Sequence, residues 1–225
     1  MVLGQVISIN TAMPVTVPYG SKEVLTGINK QPIGNQPVYL SQTGLAGDGQ
    51  GDLEYHGGAD KAVCVYSAEH FPYWAQRWNR DVLPGAFGEN FTIDSVTEPN
   101  VSIGDIWTVG EAVVQISQPR QPCFKLGMKH GLPSLAQDVQ SNGFTGFYLR
   151  VLTEGDVRLG DKLRLLEAHP AGITVAEANR VMHIDKTDRD GLERLLAIPA
   201  LAESWRQSLS SRLSKLTGEQ GMNGK

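Results

Sequence analysis

The first three quarters of this chain is written in short runs of β-forming residues, each closed by glycine or proline. That rhythm favours a small-strand barrel or sandwich over a wound α/β sheet. Strands are expected at residues 3–9, 38–40, 62–66, 90–93, 106–109, 112–117, 147–152 and 162–166. The clearest hairpin joins Trp107-Thr-Val to Ala-Val-Val through Gly110-Glu111, a two-residue connection with glycine first, which suits a type II′ turn. Its second strand delivers the chain through Gln118-Pro-Arg-Gln-Pro to Cys123. Ser67 is a plausible N-cap for a helix carrying Tyr73, Trp74 and Trp78, and Pro133 suits the first position of a shorter one.

After Glu167 the period changes. His169-Pro-Ala-Gly is a break, and Thr174-Val-Ala-Glu177 is a capping box, in which the hydroxyl and the carboxylate each satisfy an orphaned backbone donor. A second helix is expected over residues 189–197. A third carries Leu201, Trp205, Leu209, Leu213 and Leu216 in one apolar stripe. Three short helices bury little alone, so they should pack together and on the barrel, or on a partner. The reading is therefore a mainly β fold with α: a barrel domain over residues 1–167, a three-helix region over 168–217, and a polar, disordered tail over 218–225.

Composition narrows the function. A net charge of −4, a pI near 5.7 and no basic stretch argue against stable nucleic-acid binding, which needs clustered lysine and arginine. No apolar run approaches the ~20 residues of a membrane span, and the first ten residues read as a strand rather than a signal peptide, so a cytoplasmic protein is expected. Two cysteines are too few for a disulfide scaffold. Cys64, inside Ala-Val-Cys-Val-Tyr, reads as core. Cys123 lies between Arg120 and Lys125, the surroundings expected to lower a thiol pKa and to suit metal or sulfur chemistry. His70, His130, His169 and His183 are scattered, without the spacing of a zinc site.

Three glycine-rich segments can approach a ligand closely and present backbone N–H groups: Gly44-Leu-Ala-Gly-Asp-Gly-Gln-Gly-Asp, His56-Gly-Gly-Ala-Asp-Lys61, and Gly85-Ala-Phe-Gly-Glu-Asn-Phe-Thr92. None matches a nucleotide-binding fingerprint. Taken in order with Ile-Gly-Asp, Arg120-Gln-Pro-Cys-Phe-Lys-Leu, Gly-Phe-Tyr-Leu-Arg150-Val-Leu and Gly-Asp-Lys-Leu, they resemble the motifs of a MOSC domain, named for the molybdenum-cofactor sulfurase C-terminus. The helical extension is similar to that of the stand-alone YiiM-type branch.

The resemblance implies a barrel that binds a molybdenum pterin cofactor, with Cys123 as the metal ligand. It also implies reduction of N-hydroxylated compounds, among them base analogues such as 6-hydroxylaminopurine. An anionic cofactor needs a local positive pocket, for which Lys61, Arg120, Lys125 and Arg150 are candidates, with Gly57 and Gly58 adding backbone donors and Asn90 and Thr92 facing the pterin edge. His56 is the first candidate for proton delivery, oriented by Asp60, and Glu89 ranks below it. Tyr55, Phe87, Phe124 and Phe147 are the aromatic rings near enough to the motifs to stack on a purine. Lacking a cysteine cluster and a dinucleotide fingerprint, the chain would take electrons from a separate flavin or iron–sulfur protein. Two other readings stay open: a cysteine-based sulfur-transfer enzyme, and a module that carries the cofactor without turnover. The chain would act as a monomer or a homodimer.

Overall fold

The computed structural model describes residues 1–52 and 57–222. Its strands are β1 (Val2–Thr11), β2 (Val15–Tyr19), β3 (Lys22–Thr26), β4 (Gln31–Pro32), β5 (Val38–Ser41), β6 (Gly44–Leu45) and β7 (Val63–Ser67). They continue with β8 (Phe91–Ile93), β9 (Ile106–Val109), β10 (Ala112–Pro119), β11 (Phe147–Thr153), β12 (Gly155–Val157) and β13 (Lys162–Glu167). Seven of them close a barrel in the order β13-β9-β10-β11-β7-β8-β1, and β1 pairs back onto β13. All neighbours are antiparallel except β7 and β8. Closure leaves the barrel no exposed edge, the solution that short strands favour.

Each expected strand is present, and Gly110 takes a φ of 56° at the start of a two-residue turn that pairs Val109 with Ala112. Two small sheets lie outside the barrel, and of their strands only β5 is expected from the sequence. β2 and β3 form a hairpin of their own, and β5, β6 and β12 form a three-stranded patch.

Helices α1 (Phe71–Trp78), α2 (Phe124–His130) and α3 (Leu135–Asn142) cover one side of the barrel around a second small core. Ser67 accepts a bond from the Glu69 N–H and opens a 3-10 turn ahead of α1. In that core the Tyr66 and Phe87 rings stack with centroids 3.9 Å apart, and the Trp74 indole donates to the Tyr66 hydroxyl at 2.7 Å. The helix assigned to Pro133 begins two residues later, at Leu135.

The carboxyl-terminal region is α4 (Val175–Asn179), a π turn over Arg180–Ile184, α5 (Arg189–Leu196) and α6 (Glu203–Met222). Thr174 caps α4 by accepting from the Glu177 N–H at 3.1 Å, the first half of the expected capping box, while the Glu177 carboxylate turns instead to Arg180 at 2.9 and 3.0 Å. These helices share the barrel's own core: Leu192, Leu195, Leu201, Trp205 and Leu209 are buried in one cluster with Trp107, Ile116 and Phe147. Leu213 and Leu216 pack against it, so the whole leucine stripe is covered from within. Backbone bonds join the two parts, Val175 N–H to Val101 carbonyl and Ala202 N–H to Ser117 carbonyl. α6 runs to Met222 and so passes Gly218, where the polar tail is expected to begin.

Candidate functional site

At the end of β10 the chain leaves the barrel and runs along a solvent-open cleft. This stretch holds Arg120, Gln121 and Cys123 on the cleft wall, and the first turn of α2 adds Lys125. Arg120 is fixed by its own backbone, whose N–H donates to the Gly146 carbonyl at 3.0 Å. Gly146 has φ near 70°, and a Cβ there would meet the Val65 carbonyl oxygen at 2.1 Å, so only glycine lets the two segments lie this close.

The opposite wall comes from Thr26–Ile28, Lys30 and the glycine-rich segment through Gly49, Gln50 and Gly51. At Gly51 a Cβ would meet the Leu25 carbonyl oxygen at 2.4 Å, which is why that segment is written in glycine. Lys61, Cys64, Gly88, Asn90 and Tyr148 complete the lining. Four cationic side chains, Lys30, Lys61, Arg120 and Lys125, therefore face one space, and among the described residues that line it none is acidic.

The polar groups divide by whether their bonding is spent. Lys30 is buried in an ion pair with Asp48, whose carboxylate also accepts from the Ala12 N–H at 2.9 Å and the Asn90 amide at 2.8 Å. Arg120 is only 6% exposed, and its Nη2 donates to the Phe87 carbonyl at 2.6 Å. Its Nη1 is buried without a partner. A buried guanidinium donor left open costs stability unless an acceptor completes it. Burial works against the Arg120 charge, and the surrounding Cys64, Tyr148, Cys123 and Glu89 more than offset it, raising its pKa.

Burial lowers the Lys61 pKa against the opposing pull of Asp60 and Asp52. Burial raises the Cys64 thiol, and Arg120 recovers part of that shift. It also pushes the Tyr148 phenol well up, so that the hydroxyl stays protonated at neutral pH. Cys123 is half-buried at the position just before α2, its extended backbone presenting the side chain at the wall.

The sequence-predicted residues are thus partly gathered. Cys123, Arg120, Lys125, Lys61 and Asn90 share the cleft. Cys64, read as core, is both buried in β7 and part of the lining. Arg150 is not among the lining residues: its Nε donates to Asp60 at 2.9 Å, and its Nη1 reaches Gln115 and the Ala200 carbonyl, tying barrel to carboxyl-terminal region.

Thr92 is not among the lining residues either, and its hydroxyl is bonded internally to Glu89 at 2.8 Å and Asn10 at 3.1 Å. Glu89 itself accepts from the Gly85 and Phe87 N–H groups at 2.7 and 2.9 Å and is fully buried. It pins a loop and does not face the cleft. Asp60 is committed to Arg150 and the Glu203 N–H. Gly57 and Gly58 are not among the lining residues; Gly58, with φ near 90°, opens the 3-10 turn Ala59–Lys61 that presents Lys61. Phe87 and Phe147 are buried core rings, and Phe124 is half-exposed. His56 and Tyr55 lie outside the described residues.

Lys30, Gln121 and Tyr148 were not singled out from sequence, and for Lys30 no motif marks it. A molybdenum pterin brings sulfur ligands and a phosphate of its own, so it asks the protein for one soft ligand and a cationic pocket. The half-buried thiol, the four cations and the open Arg120 donor fit that demand. Among the described residues no three His, Cys, Asp or Glu side chains gather as an all-protein metal site.

Comparison with known proteins agrees with the geometry. The MOSC domain model matches residues 52–164, and the model described as YiiM-like, 3-alpha helix domain matches residues 173–216. YflK of Bacillus subtilis is 47% identical over 211 residues, covering 94% of this chain and 95% of its own. The crystal structure of YiiM from Geobacillus stearothermophilus superposes with a TM-score of 0.81 at 38% identity, over 93% of this chain and 99% of that one. A Gibberella moniliformis protein named "Reductase" is 33% identical over 183 residues, 79% of this chain and 32% of the fungal one.

Proposed function

Since the chain belongs to the MOSC family, in its YiiM-like branch, we propose that it is a molybdenum-cofactor-dependent reductase of N-hydroxylated compounds. The observation that carries this reading is the convergence, on one cleft, of Cys123, the unpartnered Nη1 of Arg120 and three lysines. When bound, the cofactor supplies oxygen-atom and two-electron chemistry that protein side chains lack.

Cys123 is the side chain that would hold the metal, a soft thiolate suited to a centre already rich in sulfur. Arg120 and Lys125 would neutralise the phosphate, with Arg120 Nη1 gaining the acceptor it lacks. The glycines at 49, 51 and 88 keep the walls free of side chains where the ligand lies. Tyr148 offers a neutral phenol as a hydrogen-bond partner. Lys61, made more acidic by burial, holds a proton that it can pass to a leaving hydroxyl.

Two electrons per turnover come from a separate flavin or iron–sulfur protein, because two cysteines cannot hold a cluster. The fungal relative's name, a reductase, agrees with the direction of the reaction. N-hydroxylated bases such as 6-hydroxylaminopurine are the substrates to assay first.

The test is molybdenum and pterin content of protein from a cofactor-competent host, for wild type, Cys123→Ala and Arg120→Met. Near-stoichiometric metal in wild type, loss in both variants, and donor-dependent formation of amine from an N-hydroxylated purine are expected. Wild-type protein without molybdenum or pterin would overturn the proposal in favour of thiol chemistry at Cys123. Stoichiometric cofactor without turnover by any donor would instead favour a carrier.

A further inference from the structure

The hairpin of β2 and β3 pairs with no other strand, yet its far end runs straight into Thr26, Gly27 and Ile28 on the cleft wall. Its outer residues are apolar and open to water: Val15, Tyr19 and Leu25 are each between two fifths and a little over one half exposed. Tyr19, the last residue before the turn, sets its ring against Phe124, with centroids 5.7 Å apart and planes inclined by 37°. Tyr19 is 43% exposed and Phe124 50%.

Phe124 immediately follows Cys123 and immediately precedes Lys125, both of which line the cleft. Its Cα is therefore ~3.8 Å from that of the thiol-bearing residue. The aromatic cluster of Tyr66, Trp74 and Phe87 is buried, and Phe147 closes on Trp107; Tyr39 and Tyr73 are also half-exposed, but neither adjoins a cleft-lining residue in sequence. Tyr19 and Phe124 differ in that two half-exposed rings from positions 105 residues apart meet each other, directly beside the residue expected to carry the chemistry. A tilted contact at this separation uses part of each ring and leaves aromatic surface for a third partner.

We propose that Tyr19 and Phe124 form a stacking shelf that binds the planar heteroaromatic ring of the substrate and so selects N-hydroxylated bases over small aliphatic hydroxylamines. This rests on the reductase reading for its reaction but not for its binding step. Neither ring lines the cleft itself, but Phe124 lies between two residues that do, and the cleft is cationic, which suits an anionic cofactor and offers a neutral purine little. The rim supplies the apolar, π-rich surface that a purine does need. The two rings are contributed by separate elements, so their relative position depends on the hairpin. Neither ring touches the buried core clusters, so altering them should leave the barrel intact.

The experiment measures purine affinity by calorimetric titration of 6-hydroxylaminopurine, and of adenine as a non-reacting probe, into the full chain as isolated. It also measures kcat and KM for 6-hydroxylaminopurine and for N-methylhydroxylamine with an added electron donor. Tyr19→Ala and Phe124→Ala should each weaken purine binding about tenfold and lower the purine-to-aliphatic ratio of kcat/KM by a similar factor, chiefly through KM. Tyr19→Phe and Phe124→Tyr should restore both, and Tyr19→Leu and Phe124→Leu, which keep apolar bulk without a ring, should not.

Equal purine affinity in wild type and in the alanine variants would overturn the shelf. So would a fall in turnover that is the same for both substrates with affinity unchanged, which would mark the patch as a landing site for the electron donor. If wild type turns over neither compound, the reductase reading fails, and the titrations alone decide the shelf.

Discussion

Glu89 illustrates how a residue inside a site motif can serve the fold. Its two carboxylate oxygens accept from the Gly85 N–H, the Phe87 N–H and the Thr92 hydroxyl, and the group is wholly buried. That arrangement holds the Gly85–Asn90 loop so that the Phe87 carbonyl meets Arg120 and the Asn90 side chain meets the Cys64 N–H. Burial raises the Glu89 pKa, while its own backbone N–H, the Thr92 hydroxyl, the Gly85 N–H and Lys129 pull it back. Glu89→Gln replaces one acceptor by a donor that faces another donor. It should cost about 1–3 kcal/mol, and thermal unfolding should occur several degrees lower. An unchanged Tm would mean that the carboxylate is not the pin.

The same detail explains what sequence could and could not assign among single residues. Arg120, Cys123 and Lys125 were legible because they lie within one six-residue segment. Thr92 and Arg150 were not, because a motif says nothing about whether a hydroxyl or guanidinium is already spent on Asn10, Glu89, Asp60 or a distant carbonyl.

At the scale of elements, the reading of β-strands followed hydrophobic runs and so found those that line the barrel. It passed over the β2–β3 hairpin although Val15, Val17 and Tyr19 alternate along one face, because each strand is only five residues long and Pro18 interrupts the run. The signal was nevertheless present. Tyr19 pairs with Lys22 across Gly20-Ser21, a two-residue connection with glycine first, the same pattern that identified Gly110-Glu111. α2 was missed for another reason, since Gly127 weakens its propensity. A Cβ there would meet the Leu132 carbonyl at 2.6 Å, so close packing against the next turn, not helix preference, selects the glycine.

The π turn that follows α4 carries a titrating contact between elements. His183 Nδ1 lies 2.9 Å from the Gln140 amide on α3, and its ring meets Trp205 of α6 edge-on. Burial, with Lys186 and Arg212 nearby, lowers its pKa to about 4 from the usual 6.5. Between those values the unfolded chain binds the proton and the folded chain does not, so this residue's contribution to stability is present above pH 6.5 and lost as pH falls towards 4. His183→Gln, which keeps a donor and acceptor without titrating, should flatten that part of the Tm-against-pH curve. A variant curve parallel to wild type from pH 7 to 4 would assign the acid sensitivity elsewhere.

For the molecule as a whole, the two family models divide the chain where the structure does not. Residues 173–216 contribute Leu192, Leu195, Leu201, Trp205 and Leu209 to the same buried cluster as Val109, Ile116 and Phe147 of the barrel. Arg150 strengthens the junction by holding Asp60 and the Ala200 carbonyl at once, and Asp60 accepts from the Glu203 N–H at the start of α6. Because Asp60 adjoins Lys61, the carboxyl-terminal helices support the turn that presents a cation to the cleft.

A shared core of this kind predicts one cooperative transition. Truncating the buried Trp205 in Trp205→Ala should cost about 3–5 kcal/mol, and the loss should be felt by the barrel as much as by the helices. The three remaining tryptophans, Trp74, Trp78 and Trp107, all lie in the barrel or in α1, so their fluorescence reports that part alone. In denaturant, fluorescence and far-ultraviolet circular dichroism of the variant should shift to a lower midpoint together and remain superimposable. Two separated midpoints, with the helical signal lost before the fluorescence changes, would show that the three helices are an appendage whose removal the barrel survives.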